Sequence, residues 1–382
     1  MVSRNASRPV MSLFSGIGGL DFGAHMAGLA IRAAVDLDPE ALSSFSSALG
    51  GITIHAGIEE MDPETVAQDV GLNQNPDVIL IGGPPCTGFS HAGFWIEDKR
   101  KGRDHQVERL GDFLNFVKML RPRAFVLENV PGLLFRNYKP IVEQFISVST
   151  GLGYSLSYKI LNAADYGVPQ ARRRVFFVGI RDGRRFRFPD PSFCVHRTSS
   201  WAIGSLSPEG NPPESDEILQ GKYAHLLPLV PPGGNYLYFT ARRGHPKPLF
   251  GWRKRYWSFL LKMHPDKPSP TIPAQRISTN GPFHWENRRL RIREIARLQG
   301  FPDNYPLSPL PKARVHLGNA VPPLLAAQVF WELRVQLGDS HPVDRPEVLR
   351  VSLAADRSAD EVYGMMGSLV GDSRENHWHE EK

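Results

Sequence analysis

The chain has 382 residues, room for one large α/β domain and a smaller second one. Apolar residues make up 41% and charged residues 22%, which excludes disorder throughout, and 45 Lys and Arg against 39 Asp and Glu leave a +6 excess that admits a polyanionic partner without requiring one. The two cysteines, Cys86 and Cys194, are too few for a disulfide framework and lack the spacing of a zinc site, so no metal is expected. MVSRNASRPVMSLF at the amino terminus lacks the apolar stretch of a signal peptide, and no run of about 18 apolar residues follows, which predicts a cytoplasmic protein that neither leaves by that route nor spans a membrane.

From residue 9 to residue 180, short β-rich runs alternate with helical patterns: PVMSLF, then 20–28; IRAAVD, then 39–49; ITIHA, then 59–70; DVILIG, then 108–120; AFVLENV, then 139–150. That alternation predicts a doubly wound, mostly parallel sheet with helices on both faces. YSLSYKIL and RVFFVGI are expected to close it as an antiparallel pair. Past residue 181 the chain becomes dense in Pro, Gly, Arg and aromatics without a sustained period, so 182–285 is expected to form a smaller domain of loops and short strands. Helical patterning returns at 290–299 and 322–337, and 286–338 is expected to rejoin the first domain, 8–181. The polar stretch 339–382 is expected to be a mobile tail.

Ligands of such sheets gather at the carboxyl ends of the strands, where the unusual segments of this chain lie. Phe14-Ser15-Gly16-Ile17-Gly18-Gly19 follows the first strand, and its glycines allow backbone to approach a ligand, although they also suit a bare tight turn. Asp36, about 20 residues on and ending the next strand, favours a nucleoside-bearing cofactor, because an acid there can take a ribose hydroxyl. Cys86 sits in Gly82-Gly83-Pro84-Pro85-Cys86-Thr87-Gly88-Phe89-Ser90, a stiff loop at the same edge. A lone thiol is commonly an inert small apolar group, but here nearby cations could make it a thiolate nucleophile. Glu128 ends AFVL and reaches that edge too, either as a cap or as a partly desolvated acid for a heterocycle nitrogen. In Gln170-Ala171-Arg172-Arg173-Arg174, strand alternation puts Arg172 and Arg174 on one face, as a solvated patch or as supporting cations.

Together and in this order, these segments resemble the motifs of the DNA (cytosine-5) methyltransferase family, in its bacterial stand-alone form. FSGIGG is similar to the cofactor loop, GGPPCTGFS to the catalytic loop, ENV to the glutamate motif and QARRR to the arginine motif. RRLRIREIARLQGFP (288–302) resembles the helix that organises the recognition domain, and HLGNAVPP (316–323) the closing cofactor motif. The resemblance implies a Rossmann-like methyltransferase fold, a target-recognition domain at 182–285, S-adenosylmethionine as cofactor and a cytosine rotated out of double-stranded DNA as substrate. It implies Cys86 as nucleophile, Glu128 on cytosine N3 and N4, and Arg172 and Arg174 in support. Phe14, Ser15, Gly16, Gly18, Gly19, Asp36, Leu37, Ile58, Pro85, Asn319, Ala320 and Val321 fall to the cofactor. A monomer working beside a cognate restriction endonuclease is the expected setting.

Two positions depart from the pattern. Leu37 stands where many relatives have an aromatic residue, and Gly57 where an acid often contacts the adenine amino group. The helix motif also begins Arg-Leu-Arg-Ile-Arg, with Arg291 and Ile292 where a small residue is common. Phe89-Ser90 speaks against the tRNA-methylating relatives, which usually have threonine after that phenylalanine. The joint presence of Cys86, Glu128, Arg172 and Arg174 speaks against a non-catalytic DNA-binding module. Ala241-Arg242-Arg243-Gly244-His245 and Trp252-Arg253-Lys254-Arg255-Tyr256-Trp257 interleave basic and aromatic residues, as nucleic-acid contacts often do.

Overall fold

Seven of the apolar runs pair into one sheet: β1 (Pro9–Leu13), β2 (Ala30–Asp36), β3 (Ile52–His55), β4 (Ile79–Gly82), β5 (Ala124–Asn129), β6 (Ser155–Asn162) and β8 (Arg173–Ile180). The computed structural model describes residues 7–73, 75–85, 105–181, 183–206, 213–215, 217–275, 278–309 and 311–371. The strand order is β3-β2-β1-β4-β5-β8-β6. The first five are parallel, and β8 lies reversed between β5 and β6. A small parallel pair, β7 (Gln170–Ala171) with β9 (Ser269–Pro270), lies apart from this sheet.

The central strands read as continuous apolar runs because both their faces are covered. Alternate side chains enter two cores. Val10, Ile79, Ile81, Val126 and Phe176 join one, and Met11, Leu80, Phe125, Leu127 and Phe177 the other. The first face is covered by α1 (Gly19–Met26), α2 (Pro39–Leu49) and a helix from much later in the chain, α9 (Pro323–Leu337). Backbone contact there is close: a Cβ on Gly23 of α1 would lie 2.4 Å from the Ala326 Cβ of α9. α3 (Pro63–Asp69), α4 (His105–Leu120) and α5 (Lys139–Gly151) cover the second.

Elsewhere the structure corrects the expected elements. The helix expected at 59–70 is divided into a single 3-10 turn, Ile58–Glu60, and α3, because Asp62 caps a fresh start at Pro63 by accepting the Thr65 N–H at 2.9 Å. α6 (Ser199–Ile203), α7 (Ile292–Gln299) and α8 (Lys312–Asn319) follow. The stretch expected to be a mobile tail contains α10 (Glu347–Leu353) and α11 (Ala359–Gly367), which bury Val348, Leu349, Val362, Tyr363 and Met366 in the first core. Each such side chain contributes roughly 1.5–3 kcal/mol, enough to hold the segment down. Residues 372–382 lie outside the described residues.

Between 217 and 283 the described residues make mostly 3-10 turns, with the two-residue β9 and isolated bridges as their short strands, and a small core of their own around Leu227, Tyr236, Phe239, Phe259 and Phe283. Phe186, Ala202, Ile203, Met263 and Ile272 pack instead with the first core. Among the described residues no helix is long and apolar enough to cross a membrane.

Candidate active site

β1 and β4 are neighbours, with β2 and β3 on one side and β5 on the other, so the strand order reverses between them and leaves a crevice beyond their carboxyl ends. A cavity of about 400 Å³ opens there. One wall is the loop after β1. Phe14 and Gly16 adopt positive φ of 56° and 55°, and the turn closes as the Ser15 N–H donates to the Val35 carbonyl at 3.1 Å and the Gly18 N–H to the Ser15 carbonyl at 2.9 Å. The Asp36 carboxylate braces it, accepting the Gly16 N–H at 2.7 Å and the Asp38 N–H at 2.9 Å. Burial raises the Asp36 pKa, and those two N–H groups work against the rise. An oxygen accepting one such bond keeps a further lone pair for a ligand hydroxyl.

Phe14, Ser15, Gly16 and Gly19 line the cavity. Gly18 does not: a Cβ there would lie 2.8 Å from the Phe45 ring, so with φ 85° this glycine serves the turn and the packing of α2. Gly19 lets the late segment close in, since its Cβ would stand 2.4 Å from the Val321 carbonyl oxygen. Leu37, Ile58, Pro85, Asn319, Ala320 and Val321 complete the expected set on the cavity wall.

Sequence reasoning missed several polar groups on that wall. Asp38 caps α2 through the Glu40 N–H at 2.9 Å and pairs with His316 Nε2 at 2.9 Å, joining the cavity's early and late segments. Against the push of burial, His316 and the Ala41 and Glu40 N–H groups hold the Asp38 carboxyl below its usual range. An Asp directly before a Pro at a helix start was the available signal. Asp21 of α1 is wholly buried behind the loop, and desolvation pushes its pKa up to about 7 while the Ser12 hydroxyl opposes the rise. Glu59 and Arg109, ion-paired with each other, also line the cavity.

At the opposite end, β5 delivers Glu128 and Asn129. The Asn129 amide donates to the Pro84 carbonyl at 3.2 Å in a buried contact, pinning the loop after β4 two residues before Cys86. Cys86 and the glycine-bearing segment up to 104 lie outside the described residues. Glu128 is 6% exposed. Desolvation raises its pKa, with Arg174 and then Arg172 opposing. Arg174 Nε stands 2.8 Å from Oε1, yet its N–H is not aimed along the contact, so that buried oxygen keeps no aligned donor.

The two arginines part company here. Arg174, in β8, lines the cavity beside Glu128. Arg172 lies in the break between β7 and β8, wholly buried, donating to the Ile272 carbonyl at 3.2 Å and the Gly318 carbonyl at 2.7 Å. It ties three distant segments together, and its charge acts on Glu128 from there.

The profile of the C-5 cytosine-specific DNA methylase family matches residues 9–334. The chain belongs to this family. It is a DNA (cytosine-5) methyltransferase, and DNA is its substrate. The Type II methyltransferase M.SacI of Streptomyces achromogenes is 37% identical over 369 residues, covering 87% of this chain and 94% of that one. M.NgoFVII of Neisseria gonorrhoeae is 33% identical over 338 residues, covering 84% and 85%. In fold, the methyltransferase resembles the crystal structure of S. pombe Dnmt2, with a TM-score of 0.59 at 18% identity over 86% of this chain and 99% of that one.

Proposed function

We propose that this methyltransferase takes its methyl group from S-adenosylmethionine bound in the cavity, and places it on C5 of a cytosine extruded from the duplex and held covalently by Cys86. The observation that carries the reading is Glu128: a desolvated carboxylate with one unaligned oxygen, at one end of a cavity whose other end has a glycine loop and a strand-terminal acid. These residues suit the cofactor. Asp36 can accept ribose hydroxyls, Gly16 leaves room for backbone contact, and Ile58, Leu37 and Val321 offer apolar surface to a purine ring. When bound, that group supplies an electrophilic methyl on sulfur.

Cytosine C5 is too poor a nucleophile to take a methyl group unaided. Addition of the Cys86 thiolate to C6, with Glu128 engaging N3, converts the ring to an enamine whose C5 can be methylated. Loss of the C5 proton and expulsion of the thiol then restore aromaticity. A raised pKa suits Glu128 to hold the proton it shares with N3, and Arg174 limits that rise. C6 is stacked inside the duplex, so the base must leave it, at a cost of a few kcal/mol.

The segment 182–285 reads the DNA word in this proposal. Arg242 stacks over Trp252 at 4.5 Å, and Trp257 is 65% exposed. Type II in the relatives' names supports a role beside a restriction endonuclease. The test is direct: bisulfite sequencing of DNA from cells expressing the protein should show 5-methylcytosine at one recurring word, and none with Cys86→Ala. Unmodified DNA from cells with folded wild-type protein would overturn the reading.

A further inference from the structure

Position 57 lacks the acid that the family pattern leads one to expect, but its backbone does not require glycine. Its φ of −71° and ψ of 131° are open to any residue. The space is what is taken. The three atoms nearest to where a Gly57 Cβ would stand all belong to Glu59: Cδ and Oε2 at 3.1 Å and Oε1 at 3.2 Å. The 3-10 turn at Ile58–Glu60 therefore folds the Glu59 carboxylate back over residue 57. Gly57 and Glu59 both line the cavity, on either side of the buried Ile58.

The carboxylate is also oriented. Arg109 of α4 ion-pairs with it through Nη1, and the same nitrogen donates to Asp112 Oδ2 at 2.9 Å, so the guanidinium is fixed from its own helix. Arg109 lines the cavity as well. The Glu59 side chain remains 46% exposed, which leaves acceptor capacity beyond the Arg109 contact.

We propose that Glu59 replaces the absent acid at position 57 and accepts a hydrogen bond from the exocyclic amino group of the cofactor's purine. The inference rests on the proposed S-adenosylmethionine site. An ionised carboxylate only accepts, so it distinguishes a purine with an amino group from one with an oxo group at the same carbon, which would set acceptor against acceptor. Arg109 is then a positioning residue that orients the Glu59 carboxylate.

The test is calorimetric binding of S-adenosylhomocysteine and of its 6-oxo analogue, S-inosylhomocysteine, to the full-length protein, with thermal melts as a check on folding. Wild type should favour the amino compound by about tenfold or more. Glu59→Ala should lose that preference, mainly by weaker binding of the amino compound. The double change Gly57→Asp with Glu59→Ala should restore it, since truncating Glu59 vacates the space beside residue 57. A wild type that binds both compounds equally, or a folded Glu59→Ala that keeps the preference, overturns the proposal. A wild type that binds neither overturns the cofactor reading beneath it, which separates the two failures.

Discussion

Around the cavity, side chains are set by strand ends and by hydrogen bonds to backbone: Asp36 on Gly16, Asp38 on Glu40, Asn129 on Pro84. From Leu219 to Phe283 the described residues have little strand to build on, a two-residue strand and bridges at Phe259 and Lys262. That segment is held by local bonds such as the Asn235 amide to the Trp257 carbonyl at 2.8 Å, and by rings packed edge to face, with Tyr236, Phe250 and Phe259 meeting at centroid distances of 5.6–5.8 Å. Its ties to the main domain run through the β7–β9 pair and through Met263 and Ile272, which pack in the first core. An ionic cluster flanks it, where Arg288 grips Glu294 of α7 at 2.7 and 2.9 Å and Arg291 holds Glu217 at 2.6 Å. The contrast suits the proposed division between chemistry and recognition. Chemistry needs atoms fixed to within a hydrogen bond, whereas a surface that reads a DNA word needs only a stable base on which loops can vary.

If the two regions divide the work in this way, damage to one should spare the other. The largest effect is expected at Glu128. Glu128→Gln should lower kcat by roughly 10²–10⁴-fold while leaving the methylated word unchanged, because the lost group acts on the ring and not on the sequence. Single-turnover methylation across a panel of duplexes would show it, and a changed preference would break the division.

Next comes the flanking ionic cluster. Glu294→Ala removes the two-bond partner of the buried Arg288 and should cost about 3 kcal/mol of stability by urea denaturation, with DNA affinity falling alongside. Despite its desolvation, Arg288 and the Arg291 N–H hold the Glu294 carboxyl below its ordinary value. The stability it lends is therefore full above that ordinary value and drains away as the pH falls through the depressed one.

Asp21 should behave in the opposite sense. Its pKa rises from 3.8 to about 7 on folding, so the native state binds more protons in that window and wild-type stability declines as the pH climbs through it. Asp21→Asn should gain relative to wild type across pH 4–7, reaching at most roughly 4 kcal/mol above it. A constant offset between the two melting curves from pH 4 to pH 8 would contradict the burial argument. The smallest effect is expected on the recognition side, where Trp252→Ala removes the platform under Arg242. DNA affinity should drop about tenfold at one fixed salt concentration, with S-adenosylhomocysteine affinity unaltered.

The sheet was legible in sequence because central strands covered on both faces must be apolar throughout, and their ends then announce the site. Arg172 was not. Alternation holds only along an unbroken strand, whereas the chain leaves the sheet at that residue and turns its guanidinium to the Ile272 and Gly318 carbonyls, 100 and 146 positions away. Glu59 was hidden for a similar reason, since the fold-back of a single turn over Gly57 has no periodic signature. α11 could have been read: Ser358 and Glu361 form a capping box, with the Ser358 N–H donating to Glu361 at 2.9 Å and the Glu361 N–H to the Ser358 hydroxyl at 3.3 Å. The polar composition of 339–382 masked the few apolar residues that matter there.

If Cys86 bonds to C6 of the target base while the methyl group is transferred, as proposed, the bond can be trapped. Wild-type protein, S-adenosylmethionine and a duplex carrying 5-fluorocytosine at the methylated position should give a protein–DNA adduct that survives denaturing gel electrophoresis, because fluorine at C5 cannot leave as a proton does. Mass spectrometry of the digested adduct should place the added mass on the peptide containing Cys86, and Cys86→Ala should give none. A denaturant-stable adduct with Cys86→Ala, or no adduct from wild type that methylates the unfluorinated duplex, would contradict the account.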